Sequence, residues 1–158
     1  MPPAPAPSGT TYYVDSSNGD DSQDGKSEAT AWKSLLRASQ LNMVPGDRLL
    51  LRCGQDYEGE LDVTGTGTPE TRIEVGHYGE GSNPVIRGYD SSAYAVHVHD
   101  ADYLTIHGLE IVNTGRERMA GRSGIKVSCT DYGISHDIEL SDLYIHDVNG
   151  SLSKDAGG

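Results

Sequence analysis

The chain contains no phenylalanine, one tryptophan and two cysteines in 158 residues. A core without Phe must be built from Val, Ile and Leu. Together with nine tyrosines and twenty glycines, this fits a turn-rich β protein better than a helical bundle. Basic residues are also scarce: 12 Lys and Arg stand against 24 Asp and Glu, a net charge of -12. Phosphate backbones are bound through Lys and Arg, so nucleic acid is not an expected partner. The same balance disfavours unaided binding of a polyanionic sugar, although a bound cation would reverse the local logic. No apolar run approaches the roughly 20 residues that a bilayer-crossing helix needs, so no membrane partner is expected. Cys53 and Cys129 each sit in an alternating apolar segment. There is no CxxC motif and no zinc-finger spacing, and buried free thiols are as good a reading as a bridge.

One stretch is present twice. Residues 104–115 read LTIHGLEIVNTG and residues 138–150 read IELSDLYIHDVNG, aligned at an offset of 34 residues. Leu104, Ile106, Leu109 and Ile111, and their counterparts Ile138, Leu140, Leu143 and Ile145, alternate with polar residues around a small or polar step. Period-2 alternation marks strands with one buried face. A repeated pair of short strands around a corner marks one turn of a β-solenoid. A β-sandwich would also give short strands with turns, but it does not predict copies at a fixed offset.

The sequence is consistent with strands elsewhere. TTYYVD (10–15), DRLLLRC (47–53), GELDVT (59–64), RIEV (72–75) and Val85-Ile86 are candidates, and YAVHV (94–98) matches SGIKV (123–127). Residues 1–10 are a Pro/Ala-rich linker, without the apolar segment of a signal peptide. Residues 11–46 hold an N-terminal strand, an acidic loop and a helix expected over Ala29 to Leu41, with Trp32, Leu35 and Leu36 on one face. Such a helix would cover an exposed solenoid end, which otherwise presents apolar side chains and unpaired backbone. In the acidic loop, Asp15, Asn18, Asp20, Asp21 and Asp24 offer oxygen ligands for calcium, which takes about six to eight. The closing glutamate of an EF-hand is missing, and loops of this composition also serve simply as turns.

The pieces YYVDSSNGDDSQDGKSEATAWKSL, PGDRLLLRCG and GTGTPETRIEVGHYGEGSNPVIRG, followed by the two copies, resemble the N-terminal part of secreted right-handed parallel β-helix proteins, chiefly polysaccharide lyases and glycoside hydrolases. The resemblance implies an all-β fold: a right-handed, single-stranded parallel β-helix of three sheets with an N-terminal amphipathic cap helix. Residues 47–158 would be its first coils, with the remaining coils supplied by a missing or separate chain. It also implies a secreted, cell-surface or periplasmic location, with an export signal removed upstream. The implied activity is degradation of a polysaccharide, by β-elimination or by hydrolysis. The alternative is a non-catalytic glycan-binding or structural module, because fold does not fix function.

Alternation leaves Thr105, His107, Glu110, Glu139, Tyr144, His146 and Asp147 facing outward or at corners. His146 with Asp147 offers a base and a tautomer-fixing carboxylate, and His107 and Glu110 complete the catalytic candidates. Neighbours on a strand point to opposite faces, so the His146–Asp147 pair need not touch. Arg116, Arg118 and Arg122, followed by Lys126, form the one dense basic stretch. With Tyr144 they are the substrate-binding candidates, since arginine grips carboxylates bidentately. The bland alternative is a solvated loop paired with nearby acids. His97, His99 and Asp100 have a spacing that could chelate a metal, with no further ligand identifiable. Asp137, Glu139 and Asp142 are further possible members of a carboxylate pair.

Overall fold

The computed structural model describes residues 9–131 and 133–152. Its strands are β1 (Thr11–Val14), β2 (Asn42–Met43), β3 (Arg48–Arg52), β4 (Asp56–Glu58), β5 (Leu61–Thr66), β6 (Ile73–Tyr78), β7 (Val85–Arg87), β8 (Tyr94–Asp102), β9 (Leu104–Asn113), β10 (Ser123–Ser128) and β11 (Ile138–Val148). Every ladder among them is parallel.

Among the described residues the strands form two sheets. One has seven strands, in the order β1-β3-β6-β9-β7-β4 with β11 also paired to β9; the other runs β10-β8-β5-β2. The long strand β9 explains the first. Its Leu104, Thr105 and Ile106 pair with Ile73, Glu74 and Val75, while Glu110, Ile111 and Val112 pair with Val85, Ile86 and Arg87. It therefore joins two ladders that would otherwise be separate sheets. The expected three-sheet right-handed β-helix is corrected accordingly: these are two open parallel sheets, not a closed solenoid. All-parallel pairing is the arrangement of α/β proteins, here with very little helix.

The cap helix is corrected too. Residues 29–41 contain only the end of a 3-10 turn (Glu28–Thr30) and the four-residue α1 (Leu35–Ala38). Trp32 breaks the segment by pairing with Val14 in a parallel bridge. Its amide donates to the Tyr13 carbonyl and its carbonyl accepts from Asp15, both at under 3 Å as 2.9 and 2.8 Å. Its indole is buried, stacked on Tyr12 and covered by the Arg37 guanidinium 4.3 Å from the ring. Leu35 is buried beside it, but Leu36 points to solvent.

The core contains residues from both sheets. Leu104, Ile106, Leu109 and Ile111 of β9 are fully buried with Val96 and Val98 of β8, Leu61 of β5 and Leu49 and Leu51 of β3. The inward set expected on β9 is observed, whereas among its copies on β11 Ile138 and Leu143 are half-buried and Leu140 and Ile145 are exposed. β11 lies along β9 with Ile138 on Leu104, Leu140 on Ile106, Leu143 on Leu109 and Ile145 on Ile111. β10 pairs with β8 in the expected match, Ser123 on Tyr94 through Val127 on Val98.

The corners repeat as well. Gly108 (φ 67°) and Asp142 (φ 49°) occupy equivalent places in β9 and β11, and Tyr103 (φ 49°) and Asp137 (φ 50°) precede the two strands. The left-handed region costs a non-glycine residue roughly 1–2 kcal/mol. A Cβ on Gly108 would also strike the His77 ring. Gly108→Ala should therefore destabilise the chain by about 1–3 kcal/mol. Asp142→Gly, at the matching corner, should be neutral or stabilising. Equilibrium denaturation of the two variants checks the pair, and equal losses for both would refute this account of the corner.

Candidate functional site

The outward face of the β4–β7–β9–β11 ladder gathers polar side chains in rows. Glu58, Arg87, Val112 and His146 are successive partners, as are Asp56, Val85, Glu110 and Tyr144. Arg87 Nε donates to Asp56 Oδ2 at 2.8 Å. His146 lies between two carboxylates: Nε2 is 2.8 Å from Glu110 Oε1 and Nδ1 is 2.9 Å from Asp147 Oδ2. The exposed Tyr144 ring stacks on the imidazole with centroids 4.2 Å apart.

The contact between neighbours His146 and Asp147 has a specific cause. Register slips between His146, opposite Val112, and Val148, opposite Asn113. Asp147 is the extra residue of this bulge and has φ 50°. A bulge re-aims a side chain, and here it returns the carboxylate to the ring that precedes it. Hydrogen bonds donated to Glu110, then to Asp147, raise the pKa of His146 above its ordinary 6.5. With a carboxylate beside each nitrogen, both N–H groups of the protonated ring have an acceptor, which is the cause of the upward shift.

Beside this cluster a cleft of about 710 Å³ opens between the ladder and the loops that follow β7 and β9. Glu58, Arg87, Tyr89, Asp90, Arg118 and Asp147 line it. Carboxylates, arginines and an exposed tyrosine suit hydroxyl-rich ligands, which need directional polar partners and a flat apolar surface.

The other sequence candidates separate. His107 belongs to a different row, where Nε2 is 2.7 Å from Glu74 Oε1 and Glu74 also holds Arg48 at 2.8 Å. Arg118 reaches the cleft and donates to the Gly150 carbonyl at 3.1 Å. Arg116 sits exposed near Asp90, 3.8 Å away. Arg122 is 3% exposed, and its guanidinium serves the carbonyls of Ser92 and Asp90 and the Asn113 side chain. It is a core strut, which corrects its reading as a substrate-binding residue. Lys126 lies on the other sheet, 5.7 Å from the Tyr94 ring centroid.

The five calcium candidates are taken up by local bonds. Asp15 accepts from the amides of Ser17 and Asn18, from Gln55 and from Arg52. Burial works to raise its pKa, but these donors outweigh it and hold the group at about 2. Asn18 itself turns its amide nitrogen toward Asp15, at 3.5 Å. Asp20 accepts from Ser22, Asp21 from Lys33 and Ser34, and Asp24 from Lys26 and Thr30. Each shapes a turn, and the group does not converge on one point. Asp137 pairs with Arg72 at 3.2 Å.

Sequence reasoning did not select Glu58, Arg87, Tyr89 or Asp90. The relevant signal was the β4–β7 ladder, whose register step, Asp56 to Val85, differs from the 34-residue step of the copies.

No family model matches the chain. It is similar to the lacto-N-biosidase of Bifidobacterium longum subsp. longum, with 28% identity over 197 residues, covering 92% of this chain and 12% of that protein. It also superposes on crystal structures of the GH136 lacto-N-biosidase from Eubacterium ramulus. The selenomethionine derivative gives a TM-score of 0.81 with 34% identity, and the native protein 0.76 with 32%. In both cases 90% of this chain is covered but only 28% of the other. The similarity is thus to glycoside hydrolases, and the chain spans a minor part of each.

The raised pKa of His146 has a testable consequence. A group whose folded pKa is raised stabilises the fold fully below its unfolded value and loses that contribution as pH rises through the folded pKa. The His146 contribution should therefore fade above pH 6.5, on the alkaline side. NMR titration should place His146 above 6.5, and Glu110→Gln should bring it back toward that value. An unchanged titration in the variant would contradict the bridged geometry.

Proposed function

We propose that the chain is part of a glycoside hydrolase of the lacto-N-biosidase kind, with the outward face of β4–β7–β9–β11 belonging to its glycan groove. The observation that carries this reading is the Glu110–His146–Asp147 cluster beside the polar cleft, on a chain 34% identical to a solved GH136 lacto-N-biosidase. Glycoside hydrolysis needs two carboxyl groups, one acting as acid and the other as base or nucleophile. Glu110 and Asp147 bind opposite nitrogens of one imidazole, so the two candidate carboxyl groups flank the His146 ring. His146 would hold both carboxylates in place, and Tyr144 would offer its ring to a sugar face. Elimination is not carried forward, because the similar proteins are hydrolases by name.

A glycan substrate and a secreted or surface location go with this reading, since polymeric and secreted glycans are met outside the cell. So does a structural partner. Leu140, Ile145 and Val127 are apolar residues 42%, 44% and 45% exposed on β11 and β10. Further parallel strands, from the same protein or a second chain, would cover them.

The test is hydrolysis of a chromogenic lacto-N-bioside by the whole protein that contains this chain. Glu110→Gln and Asp147→Asn should each lower kcat/KM by about 10²-fold or more, and Tyr144→Ala should act mainly on KM. A second reading, a glycan-binding module without chemistry of its own, is favoured by the 28% coverage of the solved structure. Unchanged kcat in both carboxylate variants, with binding weakened by Tyr144→Ala, would replace the first reading by the second.

A further inference from the structure

We propose that His99, Asp100 and Asp131 form a binding site for a divalent first-row transition-metal ion. The site lies at the end of β8 and in the loop after β10, on the four-stranded sheet, which carries none of the Glu110–His146–Asp147 cluster. One donor atom from each of the three residues lies within 4.8 Å of the others. His99 Nδ1 and Asp100 Oδ2 are 3.1 Å apart. Zn²⁺ takes nitrogen and oxygen ligands at about 2.0–2.2 Å, so neighbouring donors stand roughly 3–4 Å from each other. A small movement of the exposed Asp131 would close the set.

The supporting contacts have the form that metal ligands need. Asp100 is 8% exposed, and its Oδ1 accepts from the amides of Thr130 at 2.6 Å and Asp131 at 3.2 Å. That fixes the carboxylate with Oδ2 toward His99, 3.5 Å from the Thr130 hydroxyl that donates to it. The other ring nitrogen, Nε2, lies 3.1 Å from Thr130 Oγ1. A hydroxyl there can accept a hydrogen bond from Nε2–H, and in that tautomer Nδ1 offers its lone pair to the ion, the outer contact that sets a ligand's tautomer. Among the described residues no Lys or Arg pairs with Asp100 or Asp131, and the basic group beside Asp100 is the His99 imidazole itself. One imidazole with two carboxylates suits Zn²⁺, Co²⁺ or Mn²⁺ better than Ca²⁺ or Mg²⁺, which prefer oxygen alone. His97, the other histidine of this strand face, turns instead to Ser128 at 2.7 Å and Asp62 at 3.5 Å.

The experiment uses Zn²⁺ alone, titrated calorimetrically into the metal-stripped chain, with Co²⁺ for its visible spectrum. The expected result is one site, a Tm that rises with Zn²⁺, and slower alkylation of Cys129, which bonds to the Asp100 side chain. Asp131→Asn, an exposed change that leaves the core untouched, should weaken binding at least tenfold. His99→Gln should do the same, whereas His97→Gln and Cys129→Ser should retain the site. Circular dichroism of the metal-free variants separates lost ligation from lost folding. Zn²⁺ affinity unchanged by Asp131→Asn, abolished by Cys129→Ser, or matched by Ca²⁺ would overturn the proposal.

Discussion

The in-register parallel stacking of β11 on β9, and of β9 on β6 and β7, is the constraint on which the rest of the structure depends. Each strand's backbone groups pair only if the next strand lies in parallel at the right step. That pairing places Leu104 beneath Ile138 and Ile111 beneath Ile145, so the buried file is continuous across strands. It also dictates where the chain must turn. A residue in the left-handed region is tolerated only where surrounding structure over-determines it, and among the described residues five non-glycine residues adopt it at strand corners: Asp100, Tyr103, Asp137, Asp142 and Asp147. Four of the five are aspartates, whose short side chains bear this conformation better than most.

The outward face inherits its chemistry from that stacking. Parallel register puts Glu110 beneath Tyr144 and Val112 beneath His146, and the diagonal between rows brings imidazole to carboxylate. On a chain of net charge -12, two carboxylates so close would repel each other. A proton on the imidazole between them offsets this, which is why the pKa of His146 is raised. Arg87 does the same for Asp56 one strand away. The face is therefore acidic but partly compensated, with Glu110, Asp147 and Asp56 each held by a basic partner.

The repeat was legible because β9 and β11 are separated by a constant 34 residues and both alternate cleanly. Earlier strands were harder to align. Along one row, Arg48, Glu74, Thr105 and Glu139 are successive partners at steps of 26, 31 and 34 residues. Loops of unequal length hid the remaining ladder and, with it, Glu58 and Arg87. The helix over residues 29–41 was misjudged because apolar spacing alone did not show that Trp32 would be drawn into an extended bridge with Val14. The closed three-sheet solenoid was misjudged because nothing in the alternation revealed that β9 would carry one sheet through its own corner. The basic stretch looked uniform, but tertiary packing sent Arg122 inward, Arg118 to the cleft and Lys126 to the other sheet.

Both candidate sites arise from one backbone device. A histidine at the end of an alternating run is followed by an aspartate at φ 47° or 50°, in His99-Asp100 and in His146-Asp147. In each, the left-handed residue turns its carboxylate back onto Nδ1, at 3.1 and 2.9 Å. What differs is the group on the opposite nitrogen. Glu110 faces Nε2 of His146, so each nitrogen has a carboxylate acceptor and protonation of the ring is favoured. Thr130 faces Nε2 of His99 with a hydroxyl, which can accept a hydrogen bond from Nε2–H and leave Nδ1 as the free lone pair. The same local turn thus yields a charged brace on one sheet and a ligand on the other, and the partner across the ring decides which.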